Sequence, residues 1–194
     1  MEGNLENKNI NENINQSKNY KNYIIPLLIF AVVVFIFKVI FLHGFVPTKS
    51  MQDTINPGDF FIAKRLAYQN KEPEREDVIV FHTDSYKNDV LLVKRIIGLP
   101  GETIKLEGKD IYIDNKLYKD KYKTNKDSEY EPLEVKLKDN EYFVMGDNRD
   151  NSFDARFWDK HYIKRDEIKA KVNTVYRWPN LFKGRKGYIK KIKH

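Results

Sequence analysis

The sequence predicts a mostly β protein, an antiparallel-sheet domain preceded by one N-terminal transmembrane helix. Two observations predict this. A nineteen-residue apolar run, Ile24–Leu42, holds a single charge, Lys38. Beyond it, short segments rich in β-branched and aromatic residues alternate with Pro, Gly, Asn and Asp turn signals. The length of 194 residues allows one modest domain plus such an appendage.

The first element, 1–22, carries eight asparagines and little to pack beyond Leu5, Ile10 and Ile14. It reads as a disordered tail. The anchor is expected over 23–46. The nineteen residues of the run at helical rise span about 28 Å, the hydrocarbon thickness of a bilayer. Lys38 lies four residues from the end, within reach of the interface. Pro26 falls in the first turn, where a missing N–H costs little. A cleaved secretory signal would be shorter and end in small residues, whereas this run ends in Leu42-His-Gly-Phe-Val46. A buried core helix would need a large apolar domain around it. Lys18 and Lys21 on one side, and Lys49, Lys64 and Arg65 on the other, leave orientation undecided by charge alone.

Residues 47–180 read as the β domain. Strands are expected at Asp59–Lys64, Asp77–His82, Val90–Ile97, Glu102–Leu106, Asp110–Asp114, Glu141–Met145 and Val172–Tyr176. Turns separate them at Asn56-Pro-Gly58, Gly98-Leu-Pro-Gly101, Asp114-Asn115 and Gly146-Asp-Asn148. One short helix is expected around Lys164–Lys169. The lysine-rich stretch 115–140 reads as a surface excursion. Residues 181–194 form a basic tail: Lys183–His194 holds six Lys or Arg and no acid. It reads as a solvated tail, with nucleic acid or anionic lipid as the alternative contact.

Composition removes several chemistries. With no cysteine there is no disulfide framework, no thiolate metal site and no thiol nucleophile. His43, His82, His161 and His194 are scattered, so no His-built metal site is expected. The net charge of +7 leaves nucleic acid or an anionic membrane surface open as partners.

Three features carry chemistry. Ser50 stands in Val46-Pro-Thr-Lys-Ser50-Met-Gln-Asp-Thr-Ile-Asn-Pro-Gly-Asp59, just beyond the anchor; by itself it reads as an ordinary loop serine. Lys94 interrupts the apolar run Val90–Ile97. Strand alternation puts Leu92, Lys94 and Ile96 on one face, and Leu91, Val93, Arg95 and Ile97 on the other. In a central strand this lysine would be desolvated into a general base; in an edge strand it would reach water. The third feature is Gly146-Asp-Asn-Arg-Asp-Asn-Ser-Phe-Asp-Ala-Arg156, a loop dense in donors and acceptors. It binds a ligand or satisfies its own backbone, and it lacks the order and the late Glu of a calcium loop.

Together these features resemble the bacterial type I signal peptidases, membrane-anchored serine proteases of the Ser–Lys dyad class. The resemblance covers roughly residues 24–180. It rests on the anchor, Pro47-Thr-Lys-Ser50-Met51, Gly58-Asp59, Asp77-Val-Ile-Val-Phe81, Val93-Lys-Arg-Ile-Ile-Gly-Leu-Pro-Gly-Glu102 and the Gly146–Arg156 block. The self-cleaving SOS repressors share the dyad but carry a DNA-binding head in place of an anchor.

The resemblance implies that Ser50 is the nucleophile and Lys94 its general base. It implies that Thr48 and the Ser50 N–H form the oxyanion hole, that Ser152 orients the lysine and that Asp154 steadies the region. Met51 is a candidate wall of the substrate pocket. Arg95 with Asp147, and Asp154 with Arg156, are implied ion pairs. No metal or cofactor is expected. The implied substrates are exported preproteins cut after small residues of the Ala-x-Ala type. The implied partners are these preproteins and membrane lipid, not nucleic acid, and a monomer is expected. The implied location is the cell membrane, single-pass, with the catalytic domain extracytoplasmic. The chain departs from the family pattern at Asp53, where Pro is usual, at Glu76 (Gly), at Ala155 (Ser) and at Asp159 (Gly).

Overall fold

The computed structural model describes residues 22–84, 90–122, 130–179 and 186–192. The expected tail over 1–22 lies almost wholly outside them. The chain divides into two units, Met1–Ile40 and Phe41–His194.

The first unit contains one helix, α1, Asn22–Ile40, long and apolar enough to cross a membrane. It stops earlier than the expected anchor over 23–46. The last two residues of the apolar run, Phe41 and Leu42, belong instead to a strand. The cause is pairing: the backbone of Phe41–Phe45 forms a ladder with Phe60–Lys64, which burying Leu42 reinforces.

The strand pairings described in the second unit are all antiparallel. Its strands are β1 (Phe41–Phe45), β2 (Phe60–Lys64), β3 (Val78–Phe81), β4 (Leu92–Gly98), β5 (Thr103–Gly108), β6 (Asp110–Ile113), β7 (Lys116–Tyr118), β8 (Tyr130–Lys136), β9 (Glu141–Met145), β10 (Ile163–Lys164), β11 (Ile168–Arg177) and β12 (Tyr188–Lys191). The main sheet runs β1-β2-β11-β3-β4-β9-β10, with β12 on the outer part of β11. A second sheet runs β7-β6-β5-β8.

Strand β3 is central. Val78 and Val80 pack into one hydrophobic cluster with Met51, Ile55 and Val172. Ile79 and Phe81 pack into the other, with Ile96, Phe143 and Trp158. Both faces are therefore covered, which is why Val78–Phe81 is an unbroken apolar run. Its neighbour β4 follows the expected alternation up to Ile96: Leu92 and Ile96 join the second of these clusters, and Val93 the first. A bulge between Ile96 and Gly98 then resets the phase and turns Ile97 to the same side as Ile96.

Three other expectations change. The helix expected at Lys164–Lys169 is a single 3-10 turn, Arg165–Glu167, after which β11 begins. The Glu167 side chain accepts the Lys164 N–H and closes the turn, and Ile168 already pairs with Phe81 of β3. The excursion over 115–140 supplies β7 and β8, because Leu133 and Val135 alternate along β8 and pack on the core; residues 123–129 lie outside the described part. In the tail over 181–194, residues 188–191 form β12, and Ile192 is buried with Met51 and Ile55.

Candidate active site

Ser50 sits in the loop between β1 and β2. The loop is tied at its neck, where Val46 N–H donates to Asp59 O at 2.9 Å and Gly58 N–H to Val46 O at 2.8 Å. Within it, a turn is closed by Ile55 N–H to Met51 O at 2.7 Å. Met51 and Ile55 are fully buried and anchor this turn from below. Asp59 anchors the exit: its buried carboxylate accepts from Asn56 N–H, Arg177 Nε and the Tyr188 hydroxyl. The turn places Asp53 at φ 82, in the left-handed region. Proline, fixed near φ −65°, does not fit there. The departure at Asp53 therefore goes with a backbone conformation that excludes the usual residue. Glu76 is the same kind of case: it stands where glycine is common and has φ 73.

The Gly146–Arg156 loop leaves the end of β9 and meets Ser50 directly. Asn148 N–H donates to Ser50 O at 3.1 Å. A Cβ on Gly146 would lie 2.4 Å from Ser50 O and 2.2 Å from Ser152 Oγ. Only a glycine lets the two serine-bearing segments approach this closely.

Lys94 is in the middle of β4, opposite Ile79 of β3, and is 3% exposed. Its Nζ donates to Ser152 Oγ at 2.9 Å. Burial strips water from the ammonium and lowers its pKa from 10.5 to about 8; Arg156 works in the same sense, and Asp154 and Asp147 oppose it. Thr48 Oγ1 and Ser50 Oγ are 3.4 Å apart. Ser50 and Lys94 line one cleft of about 290 Å³, whose other walls include Met51, Val46, Leu91 and Val93. In this structure the hydrogen bond of Lys94 goes to Ser152 rather than to Ser50. Catalytic hydrogen bonds are commonly long without substrate.

Asp154 lies outside this cleft and braces the loop. Its carboxylate accepts Gly146 N–H at 2.9 Å and pairs with Arg156 Nε at 2.8 Å. Burial pushes its pKa up, but Arg156, Lys94 and the Gly146 N–H together hold it below the usual range. Arg95 and Asp147 form a buried two-point pair at 2.8 and 2.7 Å. Among the described residues, no group of three or more His, Asp or Glu is placed to hold a metal ion.

Two polar clusters escaped the sequence reading. Asp77 accepts from Tyr68 and pairs with buried Lys171 at 2.5 Å. Arg149 pairs with Asp120, under the ring of Tyr122. Arg149 lay inside a motif already singled out. Asp120 and Tyr122 had no signal, because their partners are distant in sequence.

Comparisons with known proteins show the family. Residues 18–178 match the family described as signal peptidase, peptidase S26. The chain is 33% identical over 140 residues to a probable signal peptidase I-2 of Synechocystis sp., covering 70% of this chain and 62% of that protein. It is 33% identical over 156 residues to signal peptidase I S of Bacillus subtilis, covering 75% and 83%. The crystal structure of a signal peptidase I from Enterococcus faecalis superposes with a TM-score of 0.45 at 28% identity, over 52% of this chain and 97% of that one.

Proposed function

The chain belongs to the signal peptidase family, peptidase S26, and from that premise we propose that it is a membrane-anchored serine endopeptidase that removes signal peptides from exported preproteins. Ser50 is its nucleophile and Lys94 its general base. The observation that carries this reading is the shared cleft: a half-buried serine and a buried lysine open onto the same apolar groove.

A serine hydroxyl needs a base within reach to attack an amide near neutral pH. Neutral Lys94 has one lone pair. While an N–H donates to Ser152, that lone pair is free to take the Ser50 proton as Oγ bonds to the scissile carbonyl carbon. The Ser50 N–H and the Thr48 hydroxyl stabilise the oxyanion, each such donor being worth about 3 kcal/mol. As the C–N bond breaks, protonated Lys94 gives its proton to the leaving amine. It then takes a proton from the water that attacks the acyl carbon and returns it to Ser50 Oγ as the acyl C–O bond breaks, which frees the product acid and restores the dyad. The apolar walls, Met51 among them, favour small side chains before the cut, of the Ala-x-Ala type. Helix α1 anchors the protein in the cell membrane, and the catalytic domain faces the extracytoplasmic side, where exported preproteins arrive.

The test is direct. Purified protein in detergent is incubated with a preprotein and the cut is mapped by N-terminal sequencing. Cleavage after a small residue is expected from the wild type and none from Ser50→Ala. A Ser50→Ala protein that cuts as well as wild type refutes the nucleophile.

A further inference from the structure

We propose that Asp120 and Tyr122 are positioning residues: they clamp Arg149 and so hold the loop that presses Ser152 against Lys94. The proposal rests on the reading of Lys94 as the base.

The clamp is built from a side chain that has no water to turn to. The Arg149 side chain is 0% exposed and that of Asp120 5%. Two parallel hydrogen bonds join them, Nε to Oδ2 at 2.9 Å and Nη2 to Oδ1 at 2.8 Å. The remaining terminal nitrogen of Arg149 donates to Gly146 O at 2.5 Å. One guanidinium therefore ties the excursion to the first residue of the loop. The loop's far end is tied to the same point, because Arg156 Nη2 donates to Arg149 O at 2.8 Å and to Ser152 O at 3.3 Å. Between these ties, Arg149–Asn151 is a 3-10 turn that delivers Ser152 as its next residue.

Tyr122 fixes the clamp from above. Arg95 lies over its ring at 4.6 Å from the centroid and Arg149 at 5.6 Å. Its hydroxyl accepts from Thr54 Oγ1 at 3.5 Å, four residues beyond Ser50. Tyr122 thus touches the arginine after Lys94, the arginine before Ser152 and the nucleophile turn. Through Asp120 and Tyr122 the excursion holds both halves of the dyad in register, although none of its described residues lines the cleft.

Removing the Asp120 charge leaves buried Arg149 without its paired carboxylate, only Asp147, already engaged by Arg95, remaining near it, and the loop must open to hydrate it. Ser152 then loosens and water reaches Lys94. The charged groups acting on Lys94 are Asp154, Arg156 and Asp147; the variants below leave all three in place.

The experiment compares full-length wild type in detergent with Asp120→Asn, Asp120→Glu, Tyr122→Leu and Tyr122→Phe. Two readouts are taken: preprotein cleavage against pH, and the titration of Lys94 followed by NMR of labelled lysine, assigned with Lys94→Met. For Asp120→Asn and Tyr122→Leu, kcat should fall about tenfold to a hundredfold with KM within about twofold. The rising limb of the rate profile and the Lys94 titration should both move to higher pH. Asp120→Glu and Tyr122→Phe should recover most of the loss. A merely structural role lowers Tm and leaves the Lys94 titration in place. Folded Asp120→Asn or Tyr122→Leu with an unmoved Lys94 titration overturns the clamp. If wild type itself cuts nothing, the peptidase reading falls, and the NMR titration still decides the clamp. If Asp120→Asn does not fold, the two Tyr122 variants decide it in the same way.

Discussion

Lys94 and Ser152 stand 58 positions apart in the chain, and their side chains meet at 2.9 Å. The contact joins the middle of a central strand to a loop whose shape depends on a glycine, two arginines and a buried aspartate. The amine is fixed by a neutral hydroxyl, and desolvation outweighs the opposing charges of Asp154 and Asp147.

The first prediction concerns pH. A base must be neutral when substrate binds, so activity should rise with pH through about 8, the lowered pKa of Lys94. Stability carries the same signature. Below about 8 both the folded and unfolded states hold the proton, and the folded state bears the full cost of a buried ammonium. Between about 8 and 10.5 the unfolded state binds more protons, so stability gains with pH in that window. Lys94→Met removes this cost. It should be inactive yet unfold at a higher temperature than wild type at pH 7, and the gap should close by pH 10.5. A rate profile rising only near the free-lysine value sinks the assignment.

Gly146→Ala should disable the protein without touching a reactive atom. The new methyl would lie 2.2 Å from Ser152 Oγ and 2.4 Å from Ser50 O. One segment must move, at a cost of about 3 kcal/mol. Denaturant unfolding and a cleavage assay check this together, and wild-type values in both would contradict the close approach.

Asp53 gives a prediction opposite to the family pattern. At φ 82 an L-residue is strained. Asp53→Gly should stabilise by about 1 kcal/mol, and Asp53→Pro should destabilise by more than that. Chemical denaturation of the three proteins ranks them; a stabilised Asp53→Pro would mean that the turn takes another shape.

Ile192→Ala tests the C-terminal strand. Ile192 is 7% exposed and shares a cluster with Met51 and Ile55, directly beneath the Ser50 turn. Its truncation should cost about 2–4 kcal/mol and lower activity as the turn loosens. The same change at Ile189, which is 81% exposed, should cost little. Equal effects at both positions would argue against β12 as a packed strand.

The sequence by itself determined the apolar helix, the β class and the order of most strands, because these follow from local periodicity. Alternation placed Lys94 on the face of Leu92 and Ile96, and the family resemblance pointed to Ser50, Ser152 and Asp154. It left open whether Lys94 lies on a central or an edge strand, since that depends on which strands flank β4. Only the tertiary structure decided this, by pairing β4 with β3 on one side and β9 on the other. It also decided where α1 ends. An apolar run reads the same in lipid and in a ladder, and only the pairing of Phe41–Phe45 with β2 separates the two. The joining of Asp120 to Arg149, and of Tyr188 to Asp59, was likewise invisible. Each is a contact between residues far apart in the chain, set by how strands stack. Local propensity carries no information about a partner that the chain meets only once it has folded.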